Sequence, residues 1–442
     1  MDSGSFFLSK EVEMKMYSFA IITAAVCVFT LLSGCKSNSV TSSAPKDPAK
    51  AAALVNDANQ ILIPHIALIG TYPLDTAAFD LSSANSLYNE ALTDDPDNLD
   101  AHFGAALTEV LTLFSDPTIA SLQKSGEVSF SAKPMLTIMK SGGVQEFTSP
   151  ISSSVLNRIR SVMKPSLTAH ALLAKSQAGQ LPSYYQNVAE TKILPVLADA
   201  ILQLKQVTQN SSYQFLITPQ MMGVDNGPTY RIDLTEIYLL LALFQFFDAD
   251  ASLFVAYNID YNAASAASVT QAWQPSSPFL ALRSNGAQRM KDTRAYYLGM
   301  ASSITSGLTF LMNEPSHTQT DLIVYNPQDQ SEFLSAIQSM DTLTALFSGP
   351  RAEGGVTFNL VNLFDNPMTD LKTKIPPYTA SSRPNSSGTY DAVLTWQASS
   401  FDNWIFPDPT LNGFLPGMTD AELKQLFGIN AATWMPSIVI SG

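Results

Sequence analysis

DLSSANSLYNEALTDDPDNLDAHFGAALTEVLTLFSD, residues 80 to 116, is the stretch whose reading decides the fold. Ala84, Tyr88 and Ala91 recur at steps of four and three, so one face of a helix carries small residues around a single aromatic ring. Asp94-Asp95-Pro96-Asp97 then interrupts the pattern, and its proline and acids suit a turn between helices. Asp97-Asn98 supplies a cap for a second helix, on which Ala101, Ala105 and Ala106 form a small face while Leu107, Val110, Leu111 and Leu113 are apolar. Small faces let two helices approach closely, so the stretch predicts a nested helical hairpin.

Ala84, Tyr88, Ala91 and Pro96 stand at the spacing of the second helix of a tetratricopeptide repeat, and the next helix follows at once. The segment from Asp80 to Asp116 thus resembles one and a half tetratricopeptide repeats. No further 34-residue period is legible. One hairpin cannot bury its own face, so either degenerate repeats continue or the hairpin docks on other helices.

Working outward, Ala51 to Ile63 reads as a helix ended by Pro64, and Ser183 to Thr208 as a helix kinked or broken at Pro195. Shorter helical candidates lie between Pro117 and Gln180, divided by Gly142-Gly143 and Pro165. YQFLIT (213–218) and TYRID (229–233) flank Asp225-Asn226-Gly227 and predict a small β-hairpin. Asp233 and Glu236 have the spacing of a capping box for a helix running to about Asn258. Within it Ile237 to Phe247 is apolar on nearly every face, while Asp248 and Asp250 cut it too short to span lipid, which makes it a central core helix. Asn285 to Met312 and Gln328 to Phe347 are two more long helices, the second stopped at Gly349-Pro350. After that the chain is rich in Pro, Gly, Asn and Ser with short β-prone runs, Val356 to Leu360 and Val393 to Trp396, and a capped helix begins at Thr419 and ends at Gly428. The expected fold is mainly α: a bundle or short solenoid of helical hairpins over residues 51–350, a small β-hairpin, and an irregular, partly β segment over residues 351–442 packed on it.

Ahead of the body lies an apolar run, Phe19 to Leu32, preceded by Lys15 and followed by Ser33-Gly34-Cys35. Leu32-Ser33-Gly34-Cys35 resembles the lipobox of bacterial lipoproteins, which implies a signal peptide over residues 1–34 and lipid on Cys35. Met14-Lys15-Met16 suits the start of such a peptide better than the acidic lead after Met1, so Met1, Met14 and Met16 are all candidate starts. Lys36-Ser37 in place of an aspartate implies the outer membrane in a double-membraned host. Residues 35–50, rich in Ser, Thr, Ala and Pro, read as a flexible stalk.

The net charge of −14 argues against nucleic acid. Of the two cysteines, Cys27 lies in the leader and Cys35 carries lipid, so neither a disulfide nor a cysteine metal site is expected in the body. No cofactor is expected. His65, His102, His170 and His317 show no metal-site spacing and read as surface or capping residues. Ser121 to Lys124, Ser161 to Lys164 and Lys140-Ser141-Gly142 share fragments with serine acyl-transferases of cell-wall peptides. In that family the Lys-Thr-Gly element lies far downstream of the nucleophile, and here it lies close by, so the match is set aside. Asp225 to Glu236 lacks the ligand pattern of a calcium loop, Asp94 to Asp97 reads as a turn, and the Pro/Gly loop Phe406 to Gly413 as a seal over the core.

These features predict a membrane-anchored binding or scaffold protein for a peptide, a protein or a small apolar ligand. Tetratricopeptide-like lipoproteins associated with solute transporters are the precedent the resemblance suggests. Its groove is expected beside the hairpin or against the central helix, with Tyr88, Phe103 and Tyr238 as candidate ligand contacts. The alternative is an envelope glycan or peptide hydrolase working with carboxylates.

Overall fold

The structure, a computed structural model, describes residues 46–68, 80–124, 181–221, 225–314, 321, 323, 325, 327–353 and 355–440. The expected leader, Cys35, the part of the expected stalk up to Pro45 and most of the expected helices between Pro117 and Gln180 lie outside these residues.

Helix α1 (Pro48–Leu68) buries Ala51, Val55, Ala58 and Leu62, at steps of three and four. It does not stop at Pro64. Proline removes the one N–H that would bond the Gln60 carbonyl, but Gln60 is exposed, so water can take that carbonyl and the helix completes another turn. Helices α2 (Ser82–Asp94) and α3 (Leu99–Thr112) form the expected hairpin, and the Asn98 side chain accepts from the Ala101 N–H at 2.9 Å as the N-cap of α3. Gly104 on α3 faces Tyr88 on α2 so closely that a Cβ would lie 2.2 Å from two of its ring atoms. A short α4 (Pro117–Lys124) follows.

Helices α5 (Pro182–Val188) and α6 (Leu194–Val207) are joined by a single π turn, Ala189–Ile193. The kink expected at Pro195 takes this form: the ring cannot continue the regular ladder, and the preceding turn widens by one residue. Strands β1 (Phe215–Ile217) and β2 (Tyr230–Ile232) pair antiparallel, Phe215 opposite Ile232. Helix α7 (Leu234–Phe254) opens on a complete capping box, with the Asp233 carboxylate accepting from the Thr235 N–H at 2.7 Å and Glu236 accepting from the Asp233 N–H at 2.9 Å. By length and composition α7 would pass for a membrane span, but 72% of its apolar window is buried within the protein, so it is the central core helix. It ends at Phe254, four residues before the expected end.

After the short α8 (Ala266–Ala272), α9 (Gly286–Asn313) lies along α7. Gly299, Ser303 and Gly307 form a stripe of small residues four apart on α9, and it is this stripe that admits α7. A Cβ on Gly299 would meet the Gln245 amide nitrogen at 2.6 Å, and one on Gly307 would meet Tyr238 Cβ at 3.0 Å. Helix α10 (Gln330–Ser348) packs on α9, and the Arg294 side chain donates to the Phe347 carbonyl at 2.7 Å, holding a cation at the α10 C-terminus. The long helices therefore pack in series: α1 on α2, α2 on α3, α3 on α6, α6 on α7, α7 on α9, and α9 on α10. The chain is mainly α with small antiparallel β elements.

The C-terminal part is more regular than its composition suggests. Strands β3 (Arg351–Glu353) and β4 (Val356–Phe358) form a hairpin, α11 (Leu360–Asp365) packs on α9, and β5 (Tyr378–Pro384), β6 (Tyr390–Trp396) and β7 (Ser437–Ile440) form an antiparallel sheet in that order, with the capped α12 (Asp420–Leu426) before β7. A second apolar core joins Leu394, Trp396, Trp404, Phe406 and Leu423 of this part to Val269 and Trp273 on and beside α8. Sequence order suggested a boundary near residue 350, yet α8 belongs with the C-terminal sheet.

Candidate functional site

The α3–α6 contact is where chemistry-bearing side chains converge in facing pairs. His102 and Glu109, seven residues apart, share one face of α3, while Asp199 and Gln203, four apart, share one face of α6. The helices run antiparallel, so His102 meets Gln203, Glu109 meets Asp199, and just outside both helices the Lys192 ammonium meets Asp116 at 2.9 Å.

Gln203 donates from its amide nitrogen to Asp199 Oδ2 at 3.2 Å, which turns its carbonyl oxygen toward His102 Nδ1. His102 Nε2 lies 2.9 Å from the Pro96 carbonyl. Both ring nitrogens thus face carbonyl oxygens. At the other end Glu109 faces Asp199 across the seam. Burial first, then the Asp199 charge and the bond to it, push the Glu109 carboxyl up to about 8.

A second charged cluster surrounds the start of α7. Arg231 donates from Nε to Asp321 Oδ1 at 2.8 Å, bonds Glu314 through its terminal nitrogen, and lies 3.7 Å from Asp233. Glu236 accepts from the Ile323 N–H at 2.9 Å as well as from Asp233. Burial first, then the neighbouring Asp233 charge, raise Glu236 well above the carboxylate range and Glu314 to about 7. Glu236 is thereby occupied at the helix start, as the cap reading required of it.

Tyr88 is fully buried and its hydroxyl donates to Asn59 Oδ1 at 2.5 Å. Phe103 is also buried, its ring packed against Tyr213 and Phe215 at centroid distances of 6.5 and 5.1 Å. Tyr238 is half-buried on α7 beside Gly307 of α9. The structure does not bring the three together, and Tyr88 and Phe103 turn no face to a ligand because packing uses both rings, so neither is carried forward as a ligand contact. Cys35, the expected lipidation residue, lies outside the described residues, as do His170, His317, Ser161 to Lys164 and Lys140 to Gly142; of His65, only its place in α1 is described.

The acidic turn is answered by lysines from the start of α1: Lys46 pairs with Asp95 at 3.8 Å and with Asp97, and Lys50 with Glu90 at 3.2 Å and Asp94 at 2.9 Å. In the Phe406 to Gly413 loop, burial works against the Asp408 charge, but bonds from Thr410, Lys374 and the Asn412 N–H hold its carboxyl at about 2. Phe406 and Leu415 beside it are buried, in keeping with a seal. Among the described residues no group of three or more His, Cys, Asp or Glu is placed to hold a metal ion.

The Glu109–Asp199 pair escaped the sequence reading. Its one local signal was a single acid inside an apolar helical run, Thr108-Glu109-Val110 on α3 and Ala198-Asp199-Ala200 on α6. Compared with known proteins, the chain matches no family model, no curated sequence and no solved structure.

Proposed function

We propose that the protein is a lipid-anchored lipoprotein of the cell envelope, held at the outer membrane through Cys35, that binds a peptide, a protein or a small apolar ligand without converting it. The observation that carries this reading is how the charged groups of the body are used. Arg231 is held among Glu314, Asp321 and Asp233, Lys372 by Asp370 and backbone carbonyls, Lys374 by Asp408, and Lys424 by Asp420. These charges serve the architecture of a scaffold.

The test has two arms. Replacing Cys35 with Ala should release the protein from the membrane fraction, and equal retention of the variant overturns the anchor. Incubating the soluble body with an extract of its own envelope, followed by native mass spectrometry and an assay for released sugars or peptides, should recover a stoichiometric ligand and no product. Turnover of an envelope polymer that vanishes with one Asp or Glu substitution overturns the binding reading.

A further inference from the structure

We propose that Asn226, in the loop between β1 and β2, is a site of spontaneous covalent modification: Asn226 and Gly227 cyclise with loss of ammonia, and water reopens the ring to aspartate or isoaspartate. The inference rests on neither the anchor nor the ligand.

The sequence holds three Asn-Gly pairs, Asn226-Gly227, Asn285-Gly286 and Asn412-Gly413. In each, the missing Cβ leaves the glycine nitrogen unshielded beside the preceding side-chain amide. The reaction begins when that nitrogen gives its proton to hydroxide and attacks the asparagine Cγ. The N–Cγ bond forms, the Cγ–Nδ2 bond breaks, and ammonia leaves a five-membered imide. Water then parts the ring nitrogen from Cγ, giving aspartate, or from the main-chain carbonyl carbon, giving isoaspartate. Water is the only co-reactant, and nothing is oxidised or reduced. The chemistry needs a glycine N–H free to lose its proton and an asparagine free to swing Cγ onto it.

Two of the pairs are held against it. Gly286 is buried in the first turn of α9, where its N–H donates to the Arg283 carbonyl at 2.7 Å and a Cβ would lie 3.0 Å from the Ala256 carbonyl oxygen. Asn412 is exposed, yet its N–H donates to Asp408 at 2.7 Å, its side-chain amide to the Asn366 carbonyl at 2.7 Å, and the Gly413 N–H to the Thr410 hydroxyl at 3.0 Å. Exposure alone therefore does not free a pair. Asn226 and Gly227 are both exposed, and among the described residues no hydrogen bond holds either one. A Cβ on Gly227 would meet nothing nearer than Pro219 at 3.9 Å, so the backbone there has room to turn. The strands on either side, with Ile217 opposite Tyr230, keep the loop ends in place while it does. Each conversion adds a negative charge beside Asp225 and is not reversed, so the acid forms accumulate as the molecule ages.

The experiment incubates the full chain in mildly alkaline buffer, folded and in urea, and follows the three asparagines by peptide mass spectrometry with digestion at acid pH. In the folded chain Asn226 should lose its amide, while Asn285 and Asn412 react at least about tenfold more slowly because hydrogen bonds must break before either can cyclise. In urea the three rates should converge. Asn285 or Asn412 reacting as fast as Asn226 in the folded chain, or Asn226 reacting only in urea, overturns the proposal. Isoaspartate must appear beside aspartate, since direct hydrolysis of the side chain yields aspartate alone. Gly227→Ala, which the open surroundings tolerate, should slow the loss at Asn226 severalfold by shielding the attacking nitrogen, and an unchanged rate overturns the cyclisation.

Discussion

Replacing Gly104 with Ala sets two effects of opposite sign against each other at the centre of the hairpin. In an exposed helix interior the change would gain about 1 kcal/mol from helix propensity. Here the new methyl would lie 2.2 Å from two ring atoms of Tyr88, which is fully buried. Overpacking of this kind costs about 1–3 kcal/mol. Tilting the ring away also breaks its hydroxyl bond to Asn59, itself only 5% exposed, and an orphaned buried polar group costs a further ~1–3 kcal/mol. The clash should win, with a net loss of about 2–4 kcal/mol in urea unfolding of the soluble body. The deciding control is the same change in a Tyr88→Leu background, where the ring atoms are gone. There Gly104→Ala should reverse sign and stabilise by up to about 1 kcal/mol. Stabilisation in the wild-type background, or the same effect in both, would refute the nested packing.

Lys372 has a side chain only 2% exposed, and its ammonium donates to Asp370 at 3.0 Å, to the Ser277 carbonyl at 3.0 Å and to the Phe279 carbonyl. It thereby holds the loop in which Leu280 adopts a φ of 59°, a left-handed conformation that costs a bulky residue strain. Lys372→Met should cost about 2–4 kcal/mol in the same assay, since it strands a half-buried carboxylate and two carbonyls; a loss under about 1 kcal/mol would show the cage to be dispensable. Burial is the leading cause that lifts Asp248 and Asp250 of α7 to about 7. A carboxyl raised in the folded state is bound to its proton there while the unfolded chain has released it, so stability is lost as pH climbs from about 4 through 7. The melting temperature should accordingly be higher near pH 5.5 than near pH 7.5, and Asp248→Asn should flatten the profile; a melting temperature that rises over this range would contradict the assignment.

What was legible in the sequence is what neighbours along the chain decide. The Asp233–Glu236 box, the Asn98 cap and the Gly428 stop each need only a few consecutive residues to act, and each stands where the pattern placed it. The hairpin of α2 and α3 was legible for the same reason: Tyr88 and the small face of α3 lie within one short stretch. Strand β5 was missed because YTASSRP is an edge strand with alternate residues in water and no apolar run to mark it. Pro64 misled because the cost of a proline depends on whether water can reach the carbonyl it abandons. The candidate site lies at the far end of this scale. Nothing near Glu109 says that Asp199, some ninety residues on, will face it. That pairing exists only once α3 and α6 lie antiparallel in the register set by Lys192 with Asp116 and by Gln203 with His102, and only then do two unremarkable acids face each other and the Glu109 carboxyl rise. A charge inside an apolar helical run is therefore the mark of a partner the local sequence cannot name, and in a chain whose helices pack in series that partner belongs on the helix stacked against it.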